Sequence, residues 1–185
     1  KGLVLPFTHY FLSVGTVKER KNMTSNVKAF SRFIRENNGN YGIVIVGRYD
    51  ALSPFYMTLM KMIKQYEIED RVRFLGNVSD EFLSFLYRNA RALLAPSLVE
   101  GFGFTLLEAM SVSLPVITSR GGSQEEVIGS DYPLLVDPHS PEEISQAMYR
   151  VTTDESFYGE MKIWGERRTS FFSWRKTADY CTACC

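Results

Sequence analysis

Tyr10-Phe11-Leu12-Ser13-Val14-Gly15 is a strand-length apolar run that stops on a glycine, and its reading decides the fold. Downstream of it, Met23, Val27, Phe30 and Ile34 recur at the spacing of one helical face. A second apolar run follows, Gly42-Ile43-Val44-Ile45-Val46-Gly47. Strand, helix, strand is a βαβ unit, and such units build a parallel sheet with helices on both faces.

The same alternation continues outward. Candidate strands are Tyr10–Val14, Gly42–Val46, Val72–Leu75, Ala92–Ala95, Pro115–Thr118 and Leu134–Val136. Pro54 opens a helix to about Tyr66, since proline suits a first turn. Ser79-Asp80-Glu81 offers an N-cap and acids for a first turn. Ser140-Pro141-Glu142-Glu143 has the form of a capping box, with Ile144, Ala147, Met148 and Val151 as the buried face that follows. Parallel crossovers are right-handed, so the expected fold is α/β: a Rossmann-like doubly wound parallel sheet of about six strands, plus C-terminal helices. The strand signal stops at Asp154. Residues 154–185 read as a helical segment packed through Trp164, Phe171, Phe172 and Trp174, within a single domain spanning 1–185.

Composition narrows the function classes. The 185 residues balance 21 basic against 21 acidic side chains, without the basic excess of a general nucleic-acid binder. No stretch approaches the ~20 apolar residues of a membrane span. The chain starts at Lys1, so a fragment of a longer protein is expected. All three cysteines, Cys181, Cys184 and Cys185, fall in the last five residues rather than spread as a disulfide framework. A zinc site would need a second ligand pair, and the only histidines are His9 and His139. Reduced thiols in a cytosolic setting are the simplest inference.

In doubly wound sheets ligands sit at the carboxyl ends of the strands, so the loops after each strand are where chemistry belongs. After the first strand, Gly15 permits a tight turn, and Arg20 and Lys21 lie beside a helix start capped by Asn22. Cations there suit a phosphate, although a solvated basic loop reads the same way. After the fourth strand, Glu100 precedes a helix start and Glu108 lies within the helix. Eight residues apart, the two carboxylates suit separate hydroxyl-bearing parts of one ligand, as the acid of dinucleotide folds suits a ribose. After the fifth strand, Gly121-Gly122 leads into a helix with a Ser N-cap and an acid three residues on. Gln124 and Glu125 read as structural there, and Arg48 is a weaker phosphate candidate. No G-x-G-x-x-G, D-x-D, G-x-S-x-G, H-E-x-x-H or paired C-x-x-C occurs, which removes the signatures of nicotinamide, metal-dependent sugar-transfer, serine-hydrolase and zinc chemistry.

Phe11-Leu12-Ser13-Val14-Gly15-Thr16, Arg20-Lys21-Asn22, Val72 to Ser79, Pro96-Ser97, Glu100-Gly101-Phe102-Gly103, Glu108-Ala109-Met110, Pro115 to Ser119, Leu134 to Pro138 and Phe172-Ser173-Trp174 together resemble the C-terminal half of the retaining glycosyltransferases of family 4, with the GT-B fold. The most specific element is the E-x7-E motif, Glu100 to Glu108. The resemblance implies that Arg20 and Lys21 hold a donor diphosphate and that Glu100 meets the transferred sugar. It also implies that Gly101, Phe102, Gly103 and Phe104 present backbone amides and that Glu108 holds the ribose, with Thr105 among the donor-binding residues. Val78 would line the base pocket, and Gly15 and Thr16 are expected among the donor-binding residues. Arg20, Lys21 and Glu100 would be the catalytic group. Two departures stand out: Thr16 where many relatives have arginine, and Ser113 where glycine is common.

The reading that follows is a nucleotide-sugar-binding domain. Its full-length enzyme would transfer a sugar, with retention, to a hydroxyl of a glycan or lipid-linked acceptor held by an N-terminal domain outside this chain. No metal or cofactor is expected. The expected setting is cytoplasmic, including the cytoplasmic membrane face. A nucleotide-sugar epimerase-like domain and a non-catalytic nucleotide-binding descendant are the alternatives; the first lacks visible acid/base residues, and the intact glutamate pair argues against the second.

Overall fold

Residues 5–37 and 39–172 are described by a computed structural model. The strands are β1 (His9–Val14), β2 (Tyr41–Val46), β3 (Val72–Gly76), β4 (Ala92–Ala95), β5 (Val116–Ser119) and β6 (Leu135–Val136). The helices are α1 (Met23–Glu36), α2 (Pro54–Gln65), α3 (Asp80–Asn89), α4 (Phe104–Ser111), α5 (Gly122–Ile128), α6 (Pro141–Thr153) and α7 (Glu155–Thr169), with a 3₁₀ turn at Glu19–Lys21. The strands form one all-parallel sheet in the order β3-β2-β1-β4-β5-β6. This is the doubly wound architecture that the alternation predicted.

The central strands are buried at nearly every position rather than at alternate ones. A parallel sheet covered on both faces requires this, because each pleat face meets a helix layer. Phe11, Leu12, Val44 and Leu93 sit at its centre with no exposed surface. The predicted α1 face is in place: Met23, Val27 and Phe30 are buried together with Phe33, and α1 packs on α6.

Local signals set most helix starts. Ser79 and Ser140 accept hydrogen bonds from the amides of Phe82 and Glu143, and Ser53 and Asp154 cap α2 and α7 in the same way. The capping box at Ser140 closes only halfway. The Glu143 carboxylate accepts from the amide of Asp137 at 2.9 Å instead of reaching Ser140, because the chain leaving β6 turns back over that helix end. β5 starts at Val116 rather than Pro115, as proline brings no amide to a ladder.

At the C-terminal end, Trp164 packs as expected and donates to the Ile128 carbonyl at 3.0 Å. Phe171 does not. It is 64% exposed, because α7 ends at Thr169 and the chain turns outward over Arg168. Trp174, the three cysteines and most of a helix expected around Ser170–Tyr180 lie outside the described residues. Ser113 keeps the left-handed backbone that glycine favours (φ 59°), and its hydroxyl donates to Glu166 at 2.6 Å. The turn is therefore retained without the glycine.

A close backbone approach joins the ends of β1 and β2. Gly47 has φ 135°, and a Cβ there would lie 2.3 Å from the Gly15 carbonyl oxygen. Gly47→Ala should therefore lower the unfolding free energy by about 2 kcal/mol or more. Gly159→Ala, inside α7 where a Cβ meets nothing within 4 Å, should instead be neutral or stabilise by up to ~1 kcal/mol. Urea denaturation of both variants checks the pair, and equal effects would contradict the steric account.

Candidate active site

The strand order reverses direction between β1 and β4, the place where doubly wound sheets bind ligands at the carboxyl ends of their strands. The loop after β1 runs through Gly15 and Thr16 into the 3₁₀ turn, which ends on Lys21. Lys21 folds back across Gly15, where a Cβ would stand 2.7 Å from its Cε. The lysine is 9% exposed. An ammonium held so far from water needs an anionic partner.

That partner is Glu100. Lys21 Nζ donates to Glu100 Oε2 at 2.5 Å, and Arg20 Nη1 lies 3.4 Å from Oε1. Burial by itself would raise the Glu100 carboxyl pKa. The two cations outweigh it and hold the group below the ordinary 4.5. Arg20 is half exposed and reaches outward.

The loop carrying Glu100 is fixed through its backbone. The carbonyls of Ala95, Pro96 and Ser97 accept from Gln124 Nε2 (3.0 Å), Asn22 Nδ2 (2.9 Å) and Ser119 Oγ (2.6 Å). The Leu98 amide donates to the Arg20 carbonyl at 2.8 Å, and Ser123 Oγ donates to the Glu100 carbonyl at 2.8 Å. Two expectations are corrected here. Asn22 occupies the N-cap position of α1, but its left-handed backbone (φ 55°) turns the side chain away from the helix amides. It bridges the Pro96 and Pro138 carbonyls instead, the latter at 2.6 Å. Ser123 is not an N-cap, because α5 already begins at Gly122 after the left-handed Gly121. Gln124 is buried, and the Glu125 carboxylate accepts from the Gly121 amide.

The second carboxylate has a different partner. Glu108 lies in α4, behind Gly103, whose φ of 97° starts that helix without a side-chain cap. Tyr87, on α3, donates its hydroxyl to Glu108 Oε2 at 2.7 Å. Tyr87 is 4% exposed, and burial together with the neighbouring carboxylate pushes its pKa upward, so it stays a donor. The bond orients a carboxylate that is otherwise open to solvent. Tyr87 had no signal in the sequence, where it reads as one more apolar position of α3. Between the two glutamates, Phe102 and Phe104 are exposed with ring centroids 4.9 Å apart, Gly101 is exposed, and Thr105 is half-buried.

A cavity of about 300 Å³ opens at the carboxyl ends of β1, β2 and β3. Its lining includes Gly15, Thr16, Arg48, Asn77, Val78 and Leu83. Gly15, Thr16 and Val78, proposed from the sequence, therefore share one wall system with Arg48. Among the described residues, no group of three His, Cys, Asp or Glu is placed to hold a metal ion. No described helix is long and apolar enough to cross a membrane.

The ion pair has a pH signature. A carboxyl whose folded pKa is lowered adds stability above its unfolded pKa and loses that contribution as pH falls through the folded value. Wild type should be more stable than Glu100→Gln at neutral pH, and the gap should close as pH falls below about 4.5. Thermal melts of the two proteins across that range test this, and a gap independent of pH would contradict it.

Residues 8–168 match the family described as Glycosyl transferases group 1. The O-antigen chain mannosyltransferase B of Escherichia coli is 33% identical over 170 residues, covering 92% of this chain and 44% of that protein. The structure of sucrose-phosphate synthase from Thermosynechococcus elongatus superposes with a TM-score of 0.83 at 25% identity, over 98% of this chain and 45% of the other. The C-terminal domain of a group 1 glycosyl transferase (LpcC) from Francisella tularensis superposes with a TM-score of 0.80 at 22% identity, over 90% of this chain and 87% of the other. The chain thus spans less than half the length of the first two. With the family's sequence match running from β1 almost to the end of α7, this chain belongs to the group 1 glycosyltransferases.

Proposed function

We propose that residues 1–185 form the donor half of a sugar-transferring enzyme, binding a nucleoside-diphosphate sugar in the crevice between the β1 and β4 loops. The observation that carries this reading is the convergence of Lys21, Arg20 and Glu100 at the point where the sheet reverses. Cations at that place suit a diphosphate, and a carboxylate beside them suits the hydroxyls of the sugar it carries.

Each residue then has a task. Lys21 and Arg20 hold the β-phosphate. When the bond from the anomeric carbon to the phosphate oxygen breaks, negative charge grows on the departing diphosphate, and fixed cations stabilise that charge more than they stabilise the ground state. Amides of the Gly101–Thr105 turn add donors at the start of α4. Glu100 positions the transferred sugar, and Glu108, oriented by Tyr87, takes the ribose hydroxyls. The base would occupy the cavity whose lining includes Val78 and Leu83. Positive charge from the protein stands where a metal would otherwise act, so no metal is required.

The acceptor is a hydroxyl of a glycan or lipid-linked molecule, and transfer proceeds with retention. We place the acceptor site and the opposite wall of the crevice in a second domain. The share of its relatives that this chain covers, 44% and 45%, supports that division. The enzyme would act in the cytoplasm, at or near the membrane face where lipid-linked acceptors are found.

Calorimetric titration with UDP, GDP and ADP tests the donor reading directly. Lys21→Ala should weaken the bound diphosphate roughly ten- to hundred-fold, the worth of one charge-assisted hydrogen bond, and leave the nucleoside nearly unchanged. EDTA should not alter the wild-type affinity. Equal losses for nucleoside and diphosphate, or rescue by Mg²⁺ after chelation, would reject it.

Glu108→Gln should weaken the ribonucleotide while a 2′,3′-dideoxy nucleotide barely responds. Tyr87→Phe should shift the same ratio in the same direction by less, because it loosens the carboxylate without removing it. Parallel losses for both sugars would make the Tyr87–Glu108 pair purely structural.

A further inference from the structure

Glu100 and a donor diphosphate need the same two cations. We infer that Glu100 is the residue by which this site distinguishes a sugar-bearing donor from the spent nucleoside diphosphate, a discrimination that rests on the donor-binding reading above.

Lys21 Nζ is committed to Glu100 Oε2 at 2.5 Å, and Arg20 Nη1 lies 3.4 Å from Oε1. An ammonium has three donor hydrogens, so Lys21 can serve a carboxylate and a phosphate oxygen together only by holding two anions side by side. The side chains of Glu100 and Lys21 are 14% and 10% exposed, so little water is present to screen that repulsion.

Retreat is restricted as well. The Glu100 carbonyl is held by Ser123, and the preceding loop is held by the Arg20 carbonyl and by Asn22, Ser119 and Gln124. A free diphosphate therefore either displaces Glu100 from its cation or lies against its negative charge.

An attached sugar changes the balance. Its hydroxyls donate to the carboxylate and replace the hydrogen bond that Lys21 gives up to phosphate. The donor thus compensates Glu100 and the spent diphosphate does not. The consequence is preferential retention of donor and easier departure of product from one pocket.

The test is calorimetry at fixed ionic strength on wild type and Glu100→Gln. The ligands are UDP, GDP and ADP, each compared with UDP-glucose, GDP-mannose or ADP-glucose. Glutamine removes the competing charge, so the free diphosphate should bind about tenfold tighter, the worth of one charge-assisted contact. The nucleotide sugar should gain nothing or weaken, and the preference for it over the free diphosphate should be lost. A Glu100→Gln protein that binds the free diphosphate with unchanged or lower affinity overturns the inference.

Should the glutamine variant fail to melt cooperatively, Glu100→Asp takes its place. It withdraws the carboxylate by one methylene and should shift the diphosphate affinity the same way by less; no shift overturns the inference equally. The two readings fail separably. A wild type that binds none of these ligands removes the donor-binding reading and this inference with it. One that binds them without the Glu100 effect removes the inference alone.

Discussion

Three consecutive backbone carbonyls, those of Ala95, Pro96 and Ser97, each accept a hydrogen bond from a buried side chain. The donors come from three directions: Gln124 from α5, Asn22 from the loop after β1, and Ser119 from the end of β5. Buried carbonyls must be paired somewhere, and a loop leaving a central strand has lost its ladder partners. Here side chains supply much of the pairing, beside the Ser97 amide on the Ala95 carbonyl, and tie the path of the loop to the surrounding elements. Asn22 extends the arrangement to a third loop through the Pro138 carbonyl after β6. The ends of β1, β4, β5 and β6 are therefore held as one unit at the face where the crevice opens.

That unit aims the charges. Glu100 lies a few residues beyond the pinned carbonyls and is held in turn by Ser123. Lys21 immediately precedes Asn22 and lies across Gly15, so its ammonium arrives at a defined place rather than sampling solvent. A surface lysine would contribute little through an ion pair, because water screens the charges and side-chain entropy opposes the contact. Removing Lys21 from water changes the balance: its charge has to be met, and the nearest carboxylate meets it at 2.5 Å. The same desolvation strengthens the interaction of these cations with any anion that enters.

The second carboxylate follows another logic. Glu108 is exposed on α4 and would be free to rotate, but a buried tyrosine from α3 fixes one of its oxygens. Tyr87 keeps its proton because burial and the adjacent carboxylate both oppose ionisation. Glu100 is held by charges and Glu108 by a neutral donor. The separation suits a ligand with a charged centre and a neutral hydroxyl-bearing end.

The sequence determined the architecture, since its signals act over a few residues. Apolar runs ending on Gly15 and Gly47, the helical spacing of Met23, Val27 and Phe30, and the serine caps at Ser79 and Ser140 all reappear in place. It also marked Arg20, Lys21, Glu100 and Glu108 as the residues most suited to binding chemistry, because three of them stand in loops after strands and Glu108 lies in the helix that follows one. It did not determine what those residues touch. Asn22 reads as a cap and serves as a bridge to a carbonyl 116 positions away. Glu143 abandons its own N-cap for the Asp137 amide, and Ser123 leaves its helix start for Glu100. Lys21 meets Glu100 across 79 positions and Tyr87 meets Glu108 across 21. Short polar side chains bond equally well to local and distant groups, so the choice falls to whichever carbonyl or carboxylate the packed sheet brings within reach. Only the assembled strand order decides that.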